Sequence, residues 1–203
     1  MSQRYARVTG SGQGLHAVDL FDSNRQPDLD VSACDAGTLI RYSDPVEPDG
    51  TPFTVLASPG SALALIWEAL SDNGVDPSFP QAVQDEVQKI TLSPEISDSA
   101  LPDLSAIPFI TIDNADSRDL DQAMHISSAN HQFVLRYALA DAAHFVRSGT
   151  ALFQEALRRG ASYYVPGFAV PMLPRVLSED LISLNEGVLR RCLLYTSPSP
   201  RDS

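Results

Sequence analysis

Lysine is almost absent from this chain of 203 residues: Lys89 is the only one, and the other basic residues are arginines. The 14 basic side chains stand against 26 acidic ones, which gives a net charge of −12. Attraction to phosphates dominates nucleic-acid binding, so a chain this acidic is a poor candidate for a module that binds nucleic acid through charge alone. The same charge is compatible with an enzyme that recruits a metal ion.

Cysteine and long apolar runs are also scarce. Cys34 and Cys192 are too few to indicate a disulfide framework. No apolar run approaches the length that spans a membrane, and the N-terminal residues lack the apolar core of a signal peptide. We therefore expect a cytoplasmic protein with no membrane association. A hydrophobic fraction of 43% is ordinary for a globular chain with room for one or two domains.

Carboxylates are concentrated in one segment that follows an apolar, β-branched run at residues 109–112. The run predicts a short buried strand. Four aspartates then fall within nine residues: Asp113, Asp116, Asp119 and Asp121. Neighbouring carboxylates repel one another unless a cation lies between them, and hard cations such as Mg²⁺ prefer oxygen ligands.

The spacing of these aspartates allows a shared site. Asp119 and Asp121 lie two residues apart, which places both on one face of an extended backbone. Asp113 reaches the same point if residues 114–118 form a turn. Composition alone favours a simpler explanation, a solvated Asp-rich turn after a strand.

The segment resembles the start of the catalytic domain, called RNB, of the ribonuclease II / ribonuclease R family. That family carries T-I-D, a short turn, and then D-x-D-D. Here T-I-D stands at residues 111–113 and D-L-D-Q at residues 119–122. Three of the four family aspartates match, and Gln122 replaces the fourth.

Downstream motifs follow in the family's order and extend the resemblance over residues 62–191. R-G-A-S-Y-Y-V-P at residues 159–166 is similar to the family's R-G-x-S-x-Y-L-P, and P-M-L-P at residues 171–174 matches outright. L-S-E-D-L-I-S-L at residues 177–184 matches L-S-x-x-L-x-S-L. In the family's H-I-A-D motif, Asp141 matches and the histidine does not.

The resemblance implies a processive 3′-to-5′ exoribonuclease that hydrolyses single-stranded RNA to nucleoside 5′-monophosphates with Mg²⁺. It implies that the catalytic residues Asp113, Asp119 and Asp121 are metal ligands, with Gln122 at the fourth ligand position. Tyr164 matches a family tyrosine that stacks on the terminal nucleotide, and stacking tolerates any base. Arg118 could contact phosphate or could only offset the local negative charge.

Gln122 leaves the function open, because glutamine offers a carbonyl oxygen to a metal but no charge. One alternative is a catalytically weakened or dead RNA-binding relative. Another is a plain Mg²⁺- or Ca²⁺-binding fold, which the absence of a D-x-D-x-[DN]-G loop makes less favoured.

Local sequence patterns and the resemblance together divide the chain into four segments of an α+β protein. Candidate strands in residues 1–60 favour a small β-barrel of OB or cold-shock type, and residues 61–107 a helical lead-in. Residues 108–191 correspond to the N-terminal part of the RNB domain. Within them Thr150 and Ser178 are expected to cap helices.

Residues 192–203 end in the Ser/Pro-rich sequence S-P-S-P-R-D-S. Taken as structure, they predict a short disordered tail. They also resemble a translated sequencing adapter, and we expect them to be absent from the natural protein and replaced by further RNB sequence.

Overall fold

The computed structural model describes residues 2–11, 14–45, 52–129 and 132–198. It confirms the α+β class. The strands are β1 (Ser2–Thr9), β2 (His16–Asp19), β3 (Leu39–Asp44), β4 (Phe53–Ala57), β5 (Gln122–Ala129), β6 (Gln132–Ala140), β7 (Tyr163–Val165), β8 (Phe168–Val170) and β9 (Cys192–Pro198). The α-helices are α1 (Ala62–Asp72), α2 (Gln81–Leu92), α3 (Ala142–Phe145) and α4 (Ala151–Arg159), and a π-helical turn covers Val176–Leu181.

The chain forms two compact units. The first combines Met1–Gln84 with Arg159–Met172, and the second combines Asp85–Arg158 with Leu173–Ser203. Among the described residues, no helix has both the length and the apolar character needed to cross a bilayer.

The first unit is built on an antiparallel sheet with the strand order β2-β1-β3-β4. All four strands fall within residues 1–60, where the sequence indicated candidate strands. A β-barrel was the expectation for residues 1–60, whereas the described strands form an open sheet with β2 and β4 at its edges. Ala6 and Val8 of β1 and Ile40 of β3 are fully buried. Every second side chain of a strand points to the same face of a sheet, which places Ala6 and Val8 on one face.

Helix α1 covers a second apolar cluster of the same unit. Serine favours the N-cap position, and Ser61 caps this helix: its hydroxyl accepts a hydrogen bond from the Ala64 amide at 3.2 Å. Trp67 and Leu70 on its buried face pack with Leu39 and with Val170 of the hairpin β7–β8. This packing holds the R-G-A-S-Y-Y-V-P motif in the first unit.

The second unit is organised around the antiparallel sheet β5-β6-β9. The sequence pattern of residues 133–139 predicts a strand, and β6 covers it. Helix α4 starts as expected at Thr150, whose hydroxyl accepts from the Phe153 amide at 3.2 Å. A Glu86 carboxylate oxygen also accepts from the Leu152 amide at 2.9 Å, which satisfies a further donor of the first helical turn.

Two local predictions in the second unit are wrong. Residues 109–112 form no buried strand: Ile110 makes a single bridge to Met124 at the edge of β5, and Ile112 is 75% exposed. Ser178 does not cap a helix, because the π-helical turn already begins at Val176, directly after Pro174 and Arg175. The wider π-helical turn lets the Ile182 amide donate to the carbonyl oxygen of Leu177, which is fully buried.

The C-terminal segment differs from the predicted disordered tail. Residues Cys192–Pro198 form β9 and pair with residues 134–140 of β6. Leucine, tyrosine and threonine at residues 193–196 favour a strand when an unpaired sheet edge is available. Residues 199–203 lie outside the described part of the chain. That residues 192–203 derive from an adapter is a statement about origin, and it stays a prediction.

Candidate functional site

The aspartate segment forms the turn that a site shared by Asp113 and Asp121 requires. The Ser117 amide donates to the Asn114 carbonyl at 3.0 Å, so the backbone reverses between Asp113 and Asp119. Ile110 and Met124 exchange two backbone hydrogen bonds, of 2.9 and 2.8 Å, which bring the start of the segment back beside β5. The turn therefore places Asp113 close to Asp121.

A pocket of about 220 Å³ lies between the two arms of this turn. Two carboxylates, an amide and the Tyr137 ring line it together with apolar side chains. Its lining residues are Ile110, Ile112, Asp113, Asp121, Gln122, Ala123, Met124 and Tyr137. Three of the four residues expected to be metal ligands thus share one space.

Asp119 is placed differently from the other expected ligands. It is exposed and does not belong to the lining of this pocket. Asp116 is also exposed, in the turn itself. That Asp119 and Asp121 act together on one face of the backbone stays a prediction.

Backbone hydrogen bonds hold the residues around Asp119 against the loop that follows the π-helical turn. The buried Ser183 hydroxyl donates to the Arg118 carbonyl at 2.7 Å and accepts from the Leu120 amide at 3.0 Å. The Leu184 amide donates to the Leu120 carbonyl at 2.8 Å. The sequence placed Ser183 in a family motif but assigned it no role.

Gln122 has a side-chain partner within the pocket. The Tyr137 hydroxyl, on β6, donates a hydrogen bond to the Gln122 side-chain oxygen. In the strand register Tyr137 lies opposite Met124, so the contact is diagonal across the β5–β6 pair. Sequence reasoning missed Tyr137, because only the register shows which residue of β6 reaches Gln122.

The oxygen chemistry of the pocket fits Mg²⁺. This ion is commonly bound through one or two carboxylates and keeps several waters, and Asp113, Asp121 and the Gln122 amide offer such oxygens. Across the described ranges, no group of three His, Cys, Asp or Glu side chains is arranged to hold a metal by itself. Any ion in this pocket would therefore depend on two carboxylates, the amide and water.

The residues expected to contact RNA are both accessible. Tyr164 lies on β7 in the first unit, opposite Ala169 of β8, and its side chain is 75% exposed. Arg118 lies in the second unit and is exposed. Asp141, the matching residue of the H-I-A-D motif, caps α3 through a 3.2 Å bond from the His144 amide and lies 3.6 Å from the Arg191 guanidinium.

Comparisons with known proteins agree on one family. The model of the RNB domain matches residues 102–197. Ribonuclease R of Acidithiobacillus ferrooxidans is 32% identical over 196 residues, which are 94% of this chain and 41% of that protein. Exoribonuclease 2 of Edwardsiella piscicida is 45% identical over 95 residues, which are 46% of this chain and 15% of that protein.

A solved structure shares the fold. RNase R of Mycoplasma genitalium in complex with double-stranded RNA superposes with a TM-score of 0.67 at 23% identity, over 98% of this chain and 37% of that one. The chain spans less than half the length of each of these relatives.

Proposed function

Because the chain belongs to the ribonuclease II / ribonuclease R family, we propose that this protein acts in the 3′-to-5′ hydrolysis of single-stranded RNA to nucleoside 5′-monophosphates. The observation that carries the proposal is the pocket that Asp113, Asp121 and Gln122 line together. A phosphodiester is negatively charged, so carboxylates at its cleavage site require a cation to offset their repulsion.

In this proposal Asp113, Asp121 and the Gln122 oxygen hold Mg²⁺, and Asp119 completes the set from the adjacent turn. When bound, Mg²⁺ supplies positive charge that stabilises the developing negative charge and acidifies the attacking water. The protein contributes a fixed backbone: the Asp121 carbonyl accepts from the Ala140 amide at 2.9 Å, which ties the ligand segment to the end of β6.

RNA is proposed to contact two accessible side chains. The exposed ring of Tyr164 offers a face on which a terminal base can stack without sequence preference. The exposed Arg118 guanidinium offers phosphate a fork of donors directly beside the aspartate turn. Both interactions suit an enzyme that moves along RNA of any sequence.

A second function is supported by Gln122 itself. Its oxygen already accepts a hydrogen bond from Tyr137, and it lacks the charge of the aspartate that the family carries. If the site binds Mg²⁺ too weakly for hydrolysis, the protein retains RNA binding as a catalytically weakened or dead relative. Nucleotide release separates the two functions, since only the first produces it.

The test uses Asp121→Asn in the protein expressed from its complete reading frame. The change removes one charge from the pocket, so we expect Mg²⁺-dependent nucleotide release from a 3′-tailed RNA to be abolished while RNA binding persists. Asp116→Asn is the matched control, because Asp116 is an exposed aspartate of the same turn outside the pocket lining. Degradation by Asp121→Asn at the parent's rate would contradict the proposal.

A further inference from the structure

We infer that Ser183 is a positioning residue that holds the aspartate segment in the geometry needed for metal binding. The inference rests on the proposed function, in which Asp119 and Asp121 are metal ligands. Ser183 lies 64 positions after Asp119 in the chain (183 − 119), yet it bonds the backbone on both sides of that residue.

Ser183 is placed for this role by its burial and by two bonds of opposite direction. The residue is 1% exposed. Its hydroxyl donates to the Arg118 carbonyl at 2.7 Å and accepts from the Leu120 amide at 3.0 Å. A hydroxyl is the smallest side-chain group that can donate and accept at once, so alanine can satisfy neither backbone group.

The bonds of Ser183 belong to a larger set that spans the D-L-D segment. The Leu184 amide holds the Leu120 carbonyl at 2.8 Å, and the Ala140 amide holds the Asp121 carbonyl at 2.9 Å. Backbone groups of residues 118, 120 and 121 therefore all make hydrogen bonds to other segments of the chain. The direction in which each carboxylate leaves the backbone is set by these contacts.

Ser183 is itself anchored by the π-helical turn and by Arg190. The Ile182 amide donates to the Leu177 carbonyl at 2.8 Å, which fixes the residue directly before Ser183. The Arg190 guanidinium donates to the Ser183 carbonyl at 3.1 Å and to the Asp180 carboxylate at 2.7 Å. Turns of this kind recur at functional sites, where they aim a side chain that a regular helix would misplace.

The physical cost of losing the hydroxyl falls on the ligands and not only on stability. Without it, the Leu120 amide and the Arg118 carbonyl lose their partner in a partly buried place. The segment then relaxes towards water, and the carboxylates of Asp119 and Asp121 sample several directions. The metal binds only those molecules in which both carboxylates point into the binding arrangement. Its apparent affinity is therefore the intrinsic affinity multiplied by the fraction of such molecules.

The test is nuclear magnetic resonance of the purified chain, with Ser183→Ala, Ser183→Cys and the control Ser71→Ala. Ser71 is matched because its hydroxyl also donates to a backbone carbonyl far away in sequence, that of Leu20, but it belongs to the first unit. Hydrogen exchange of the Leu120 amide reports whether its bond to Ser183 is intact. The response of the Asp113 and Asp121 amide signals to added Mg²⁺ reports metal binding.

For Ser183→Ala we expect Leu120 exchange to be about tenfold faster or more, since its protection depends on a closed local structure. The Mg²⁺ midpoint should rise about three- to tenfold, at or below the lower end of effects seen when direct partners of metal ligands are removed. Ser183→Cys should change both quantities in the same direction by less, because sulfur fills the space and bonds weakly. Ser71→Ala should leave both unchanged.

Each other outcome has a defined meaning. If Ser183→Ala does not fold, the nearly isosteric Ser183→Cys decides the question. A folded Ser183 variant with the parent's Mg²⁺ midpoint, or with unchanged Leu120 exchange, overturns the inference alone. If the Asp113 and Asp121 signals of the parent chain do not change when Mg²⁺ is added, the proposed function is overturned, and the inference with it.

Discussion

The Tyr137 hydroxyl donates a hydrogen bond to the side-chain oxygen of Gln122, diagonally across the β5–β6 pair. An amide oxygen has two acceptor positions, so this contact leaves one of them for a metal. The residue that departs from the family pattern is therefore held in place by a neighbouring strand. Gln122 lines the same pocket as Asp113 and Asp121.

Tyr137→Phe should weaken Mg²⁺ binding because it removes the group that orients the Gln122 oxygen. One hydrogen bond contributes roughly 0.5–1.5 kcal/mol, so we expect the Mg²⁺ midpoint to rise about two- to tenfold. Isothermal titration of parent and variant in one buffer measures the change. A lower midpoint in the variant would show instead that the hydroxyl competes with the ion.

Gln122→Asp should lower the Mg²⁺ concentration required for half-maximal nucleotide release. The new carboxylate restores D-x-D-D and adds a charged oxygen ligand beside Asp121. Without metal, stability should fall slightly, since another like charge joins the pocket. The comparison is a Mg²⁺ titration of both proteins at one salt concentration. Gln122→Glu is the control, because it adds the same charge on a side chain that is one methylene longer than aspartate.

An unchanged or raised Mg²⁺ requirement in Gln122→Asp would mean that the site is organised around glutamine. The metal arrangement implied by the resemblance should then not be transferred to this chain.

Tyr164→Ala should weaken binding of a short single-stranded RNA, whereas Tyr164→Phe should not. Stacking of one base on an aromatic ring contributes roughly 1–3 kcal/mol, which corresponds to at least a fivefold loss of affinity for the alanine variant. Fluorescence anisotropy with a labelled oligonucleotide in EDTA measures binding without turnover. Equal affinities for all three proteins would remove Tyr164 from the RNA-contacting set.

Tyr42→Phe should destabilise the first unit. The buried Tyr42 hydroxyl donates to the Asp19 carboxylate at 2.7 Å, and burial followed by that bond raises the pKa of Tyr42, so it stays protonated. Removing the donor leaves a buried carboxylate oxygen under-satisfied, at a cost of about 1–3 kcal/mol in the free energy of unfolding. Urea unfolding compares it with Tyr163→Phe, whose 41% exposed side chain predicts a smaller loss.

Local patterns in the sequence were sufficient for most elements. The four strands of the first unit, β6, and the starts of α1 and α4 follow from alternation, helical spacing and capping residues such as Ser61 and Thr150. These signals act between neighbours in the chain, so no tertiary information is needed to read them. The same holds for the turn between Asp113 and Asp119.

Errors arose where distant residues decide the local structure. Residues 109–112 have strand composition, but only Ile110 pairs with β5. Serine is a common N-cap residue, but Ser178 is not a cap because the turn starts earlier, at Pro174. The Pro174 carbonyl accepts from the Leu177 and Ser178 amides at 2.8 and 3.1 Å. Residues 192–198 include side chains that favour a strand, but they form one because the edge of β6 is available for pairing.

The sequence by itself determined the family, the α+β class and the set of oxygen-bearing side chains from which a Mg²⁺ site could be built, because each is encoded in residue identity and short-range order. Only the tertiary structure decided which of those oxygens share a pocket. Strand register brings Tyr137 to Gln122, and the buried Ser183 reaches the backbone around Asp119 from 64 positions away (183 − 119). Such contacts depend on how separate segments pack, and no local pattern specifies that packing.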